Sequence, residues 1–265
     1  MAIQFKVAGR KVEASTGGYE FDPAKPGLIL IHGAGMDHSV WSTIARYFAN
    51  HGRAVLVPDL PGHGGSEGPP LASIPAMADW VLALADEAKL TPLALAGHSM
   101  GALIALEAAG KAPERVATLA LLGAAARMPV HPDLLTAARA DDHRAIDMIV
   151  SWAHGPIGSI GGQRAPGLWT LGGGVRVLER GPKGALANDL AACDAYQGAV
   201  TAASKVRCPT LLVLGSDDRM TPIKAAIPLK EAMPQAKQIV LPETGHMMIT
   251  ERANETIAAL KTVIG

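Results

Sequence analysis

The chain opens on an alternating pattern: Ile3, Phe5 and Val7 fall on one face with polar residues between them, which predicts a strand of an N-terminal hairpin and not a signal peptide. Gly27 to Ile31 is a short apolar run that stops at His32-Gly33-Ala34-Gly35, and Val40 to His51 carries helical spacing. Ala54 to Val57 is a second buried-type strand. It runs into Pro58-Asp59-Leu60-Pro61-Gly62-His63-Gly64-Gly65-Ser66, too rich in proline and glycine to continue regular structure. Leu93 to Ala96 then enters Gly97-His98-Ser99-Met100-Gly101. A helical stretch from Ala102 to Lys111 follows, and Val116 to Leu122 supplies the next strand. Strands alternating with helices predict an α/β fold with a mainly parallel sheet.

From about Arg127 to Lys205 the alternation fails. Helical patches such as Leu134 to Ala140 and Ala185 to Ala203 flank a stretch holding Gly158, Gly161, Gly162, Gly167 and Gly172 to Gly174, which predicts a mostly helical cap. Strand-helix order resumes with Thr210 to Leu214, a helix around Ile223 to Ala232, the strand Gln238 to Leu241, and a last helix from about Ile249 to Val263. The expected organisation is a core of residues 1–126 and 206–265, with 127–205 as a cap insertion between two strands of one sheet. No internal repeat or low-complexity tract interrupts it.

Composition narrows the function classes. Of 265 residues, 49% are hydrophobic and 18% charged, which suits a large buried sheet and excludes a disordered chain. Lysine plus arginine balances aspartate plus glutamate at 24 each, so the summed field offers no general attraction to nucleic acid or anionic lipid. The most apolar later stretches, such as Ala117 to Ala126, fall short of the roughly 18 residues that cross a bilayer. A soluble cytoplasmic protein is expected, without membrane or nucleic-acid partners and with a small molecule as substrate. Cys193 and Cys208 form no CxxC pair and are expected to be small buried side chains.

Gly97-His98-Ser99-Met100-Gly101 has the form Gly-x-Ser-x-Gly between an apolar run and a helix, the setting in which a serine sits exposed on a sharp strand-to-helix turn. A serine hydroxyl needs a base and a third group to orient that base. With the nucleophile on such a turn the chain order is serine, acid, histidine, and His246 is the histidine that follows the aspartate pair. His98 is expected to be a packed or hydrogen-bonded residue of the turn, because neighbouring side chains on a strand point to opposite faces. Asp217 and Asp218 are both candidates for the acid, and either could be a turn residue. His32, His38 and His63 accompany no recognisable metal constellation, and no G-x-G-x-x-G opens a helix, so neither metal nor dinucleotide cofactor is expected. Met100, Met247, Trp152 and Trp169 are candidate pocket residues, with Met100 as a wall.

These motifs resemble those of the α/β-hydrolase superfamily, serine-nucleophile branch, related to carboxylesterases, lactonases and cofactor-free haloperoxidases. The resemblance spans essentially the chain outside the cap and implies a mainly parallel eight-stranded sheet flanked by helices. In that family the acid commonly precedes a segment resembling Arg219-Met220-Thr221-Pro222, which favours Asp218. His32-Gly33-Ala34-Gly35 resembles the oxyanion loop, implying backbone donors at Ala34 and Met100, and Pro58 to Ser66 resembles the family's Asp-x-x-Gly-x-Gly-x-Ser loop, with Asp59 as a brace. Haloalkane dehalogenases and epoxide hydrolases resemble this chain but carry aspartate where Ser99 stands. The implied activity is therefore hydrolysis of a carboxylic ester or lactone through Ser99, Asp218 and His246. The alternatives are carbon-carbon hydrolysis of a diketone, cofactor-free perhydrolysis, or a small-molecule receptor of the same fold.

Overall fold

A computed structural model describes residues 1–159 and 169–265. Strands β1 (Ala2–Val7), β2 (Arg10–Ser15) and β3 (Gly27–Ile31) lead to helix α1 (Ser42–Asn50), β4 (Ala54–Pro58) and α2 (Ile74–Glu87). Then come β5 (Leu93–His98), α3 (Met100–Lys111) and β6 (Val116–Leu122). The inserted helices are α4 (Pro132–Arg139), α5 (Arg144–Ala153), α6 (Pro156–Ser159), α7 (Thr170–Glu179), α8 (Ala185–Ala195) and α9 (Ala199–Lys205). The chain closes with β7 (Thr210–Gly215), α10 (Ile227–Ala232), β8 (Lys237–Leu241), α11 (Met248–Glu251) and α12 (Ala253–Ile264). Of the glycines expected in the cap, Gly161, Gly162 and Gly167 lie outside the described residues.

The sheet has eight strands in the order β1-β2-β4-β3-β5-β6-β7-β8, with β1 and β2 antiparallel and β4 to β8 parallel. Both faces of the central strands are buried. Along β3, Ile29 and Ile31 enter one apolar cluster while Leu28 and Leu30 enter the other, as a two-residue period requires. Helices α2, α3 and α9 supply the first cluster, and α1 and α12 the second. Each fully buried leucine or isoleucine contributes about 1.5–3 kcal/mol relative to exposure. Pairings such as Ile31 with Gly97, and Gly215 with Leu241, align the carboxyl ends of the strands at one edge. In open α/β sheets that edge is where ligands bind.

The structure departs from the sequence pattern where a helix meets a local interruption. Ala185 to Ala203 splits at Tyr196, whose hydroxyl donates to Glu107 Oε2 on α3 at 2.5 Å and draws the chain back onto the core. Helix α9 consequently lies along α3 in the layer flanking the sheet, although it falls within 127–205. The segment from Ile223 begins as a 3-10 turn and becomes α10 where Pro228, lacking an N–H, starts a new helix. The last helix breaks at Arg252 (φ −136°, ψ 51°). Helix α2, which the periodicity did not single out, is capped by Ser73, whose hydroxyl accepts the Ala76 N–H. Among the described residues, no helix is long and apolar enough to cross a membrane.

Candidate active site

Ser99 joins β5 to α3 with φ +56° and ψ −119°, a left-handed conformation that is strained for any residue with a side chain. The turn closes because its flanks carry no Cβ. At Gly97 a Cβ would lie 2.0 Å from Gly101 O, and at Gly101 it would lie 2.3 Å from Ile31 O. The Ser99 N–H is held by Leu122 O at 2.9 Å, so the strained backbone is fixed from the neighbouring strand.

His246 follows β8 and is almost fully buried. Its Nδ1 donates to Asp218 Oδ2 at 2.8 Å, and its Nε2 is buried with no hydrogen-bond partner among the described residues. A neutral ring in that tautomer presents Nε2 as a free base. Asp218 is held in turn: Oδ1 accepts the N–H groups of Met220 at 2.9 Å and Thr221 at 2.7 Å, and Oδ2 accepts the Thr221 hydroxyl at 2.7 Å. Burial alone would raise the Asp218 pKa, but the charge and hydrogen bond of His246 and the two Thr221 bonds outweigh it and hold the carboxyl below the ordinary range. Asp217 is only half-buried. It bonds to Thr244 O through its N–H and to Ser216 through its side chain. The geometry therefore pairs Asp218, not Asp217, with His246.

His98 braces this pair, donating from Nε2 to the His246 carbonyl at 2.8 Å. Burial pushes its pKa down to about 3, with the neighbouring His246 ring adding to the effect, so the ring stays neutral. The glycine loop after β3 is braced similarly: His32 Nδ1 donates to Gly33 O at 2.9 Å, and Nε2 accepts the Leu60 N–H at 3.1 Å. Asp59 is fully buried and accepts from His38 N–H, His38 Nδ1 and Gly65 N–H, all at 2.8 Å, which makes it a brace for its loop. The amides of Ala34 and Met100 have no acceptor among the described residues. Met100 N–H opens α3, where no intrahelical carbonyl is in reach.

Ser99, His246 and Ala34 share a cavity of about 470 Å³ walled mainly by apolar side chains, including Met36, Leu134, Ile149, Trp152 and Leu190. Three pocket expectations need correction. Met100 is fully buried in the core behind the turn, because the first helical side chain packs against the sheet. Met247 is buried under α5, its N–H bonded to Ala153 O at 3.0 Å. Trp169 stands 68% exposed ahead of α7. Both Met247 and Trp169 border a separate groove that contains neither Ser99 nor His246. Met220, beside Asp218, lines the cavity. Cys193 and Cys208 are free and buried; Cys193 lies in the cavity wall, where burial, reinforced by Asp189 and Asp194, raises its pKa and keeps the thiol protonated. No cluster of three or more metal-ligating side chains occurs among the described residues.

Sequence reasoning missed Thr221, whose hydroxyl completes the environment of Asp218, and Asp189, a buried carboxylate on α8 that reaches the glycine loop. Thr221 stood in the segment used to choose between the aspartates. Nothing near Asp189 in the chain signals its role.

A family model described as the alpha/beta hydrolase family matches residues 28–260. The pimeloyl-[acyl-carrier protein] methyl ester esterase of Aromatoleum aromaticum is 29% identical over 91% of this chain and 98% of its own length. The (E)-2-((N-methylformamido)methylene)succinate hydrolase of Acinetobacter baylyi is 26% identical over 88% of this chain and 89% of its own. Among solved structures, the enol-lactonase of Burkholderia xenovorans superposes with a TM-score of 0.86 at 22% identity, covering 99% of both chains.

Proposed function

The chain belongs to the alpha/beta hydrolase family, and we propose that it is a serine hydrolase of small, mostly apolar carboxylic esters or lactones, working through an acyl-enzyme on Ser99. One observation carries the reading. His246, whose Nε2 has no hydrogen-bond partner among the described residues, lines the cavity that also takes in Ser99, while its Nδ1 is bonded to the Asp218 carboxylate at 2.8 Å. The esterase named for the Aromatoleum relative supports ester chemistry.

In this mechanism Ser99 Oγ attacks the carbonyl carbon as His246 Nε2 takes its proton, and the Nδ1 bond to Asp218 stabilises the imidazolium that forms. The hydrogen bond between Ser99 and His246 forms as the substrate enters, since such bonds tighten in the complex. The carbonyl oxygen, now an oxyanion, receives the N–H groups of Ala34 and Met100. Collapse of the intermediate expels the alcohol, which takes the proton back from Nε2; water then repeats the sequence to release the acid. Within residues 127–205, helices α4, α5 and α8 serve as the cap over the site and carry the side chains that shape the acyl pocket.

Trapping with a fluorophosphonate followed by peptide mapping, with a panel of p-nitrophenyl esters on the same preparation, tests the proposal. Label on Ser99 with many turnovers per site is expected. Label on another residue would overturn the mechanism, and a single slow event per site would leave a receptor.

A further inference from the structure

Asp189 lies within α8 and is fully buried. Its Oδ2 accepts the Gly35 N–H at 2.9 Å and His63 Nε2–H at 2.9 Å, while Oδ1 accepts Asn188 Nδ2–H at 3.3 Å. His63 Nδ1 faces the Pro61 carbonyl at 3.1 Å, so both ring nitrogens meet acceptors and both carry protons. Burial opposes that charge, but the hydrogen bond and charge of Asp189 outweigh it and raise the His63 pKa. A carboxylate from the cap is thus paired as well as hydrogen-bonded, the condition under which a charge tolerates burial.

The Gly35 bond matters through peptide geometry. In a trans peptide the C=O and N–H point in opposite directions. Gly33 O is held by His32 Nδ1 at 2.9 Å and by the Met36 N–H at 3.2 Å, so the N–H of that same peptide, belonging to Ala34, points away from both. The next peptide, joining Ala34 to Gly35, is held by Asp189. Helix α8 sits directly on this backbone: Gly35 has φ +67°, and a Cβ there would lie 2.8 Å from Leu186 Cδ1.

We propose that Asp189 is a positioning residue for the oxyanion loop, through which the cap fixes the peptide after Ala34 and so aims the Ala34 N–H at the developing oxyanion. The proposal rests on the reading of Ser99 as an acylating nucleophile. It makes the cap part of the rate apparatus as well as the pocket wall.

The test compares an ester with its thionoester, whose sulfur accepts hydrogen bonds weakly and so gains little from oxyanion donors. Removing one such donor typically costs about 100 to 1,000-fold, and mis-aiming it costs less. Asp189→Ala is expected to lower kcat on the ester by about 10 to 100-fold with KM within about threefold, and to lower the ester-to-thionoester ratio by about tenfold. The double variant Asp189→Leu with His63→Phe replaces the buried ion pair by apolar groups, a change that often preserves folding, and is expected to show the same fall in ratio. An unchanged ratio in a folded variant, or equal losses on both substrates, overturns the proposal. Fluorophosphonate mapping of the parent protein separates the two failures. Absence of label at Ser99 strikes the proposed function, whereas label with an unchanged ratio strikes only the role of Asp189.

Discussion

Gly123, which follows β6 with φ +58°, lies against the candidate base: a Cβ there would sit 2.9 Å from His246 Cε1 and 3.0 Å from Nδ1. Carbon contacts become comfortable at about 3.5 Å, so Gly123→Ala must displace the ring or the strand end by about half an ångström. The ring has little room to yield, because Nδ1 is held by Asp218 at 2.8 Å and the residue's carbonyl by His98 at 2.8 Å. Misplacement by about 1 Å can cost about 100-fold in rate, so kcat should fall roughly 10 to 100-fold. The left-handed backbone adds about 1–2 kcal/mol of destabilisation, or about 2–8 °C in Tm for a domain of this size. Gly52→Ala is the control, with φ +87° and, among the described residues beyond its chain neighbours, no atom within 4 Å of the added Cβ. Both variants should lose Tm, Gly123→Ala the more because its added Cβ also overpacks the ring, and only Gly123→Ala should lose kcat on a p-nitrophenyl ester. Parental kcat in Gly123→Ala, or equal loss of kcat in both, would refute the reasoning.

Ser99→Ala and His246→Ala should each remove nearly all turnover, with the double variant within about threefold of either, because the groups act as one unit; additive losses in steady-state kinetics would count against that unit. Asp218→Asn should lower kcat on the order of a thousandfold or more, and Asp217→Asn by less than about threefold; the reverse ranking would transfer the acid to Asp217. Burial holds His32 at a pKa of about 4 and His98 at about 3, so below the ordinary value of 6.5 the unfolded chain takes up protons that the folded chain refuses, and stability falls with falling pH. His38 shifts upward through its bond to Asp59, and His63 upward through Asp189 against the effect of burial; their contribution is complete below 6.5 and is lost as pH rises through the raised folded values. Thermal melts should therefore peak in Tm near pH 6.5, and a Tm that holds or rises from pH 6.5 to 4.5 would contradict the buried-histidine account.

The sequence by itself determined the parallel core and the serine turn, because both are written in neighbouring residues. Period-two burial along Leu28 to Ile31 and the glycines flanking Ser99 are local constraints that the chain must satisfy wherever it folds. Chain order and a resemblance pointed to Asp218, and the bond to His246 across 28 residues is what distinguishes it from Asp217. Tertiary packing alone decided the rest: that Trp152 walls the cavity while Trp169 turns to solvent, that Gly123 makes room for an imidazole, and that Asp189 reaches Gly35 across 154 residues. Periodicity says which face of a helix is apolar, but which backbone amide meets a buried carboxylate is set by how the cap docks, and docking sums contacts from segments that have no common pattern in the chain.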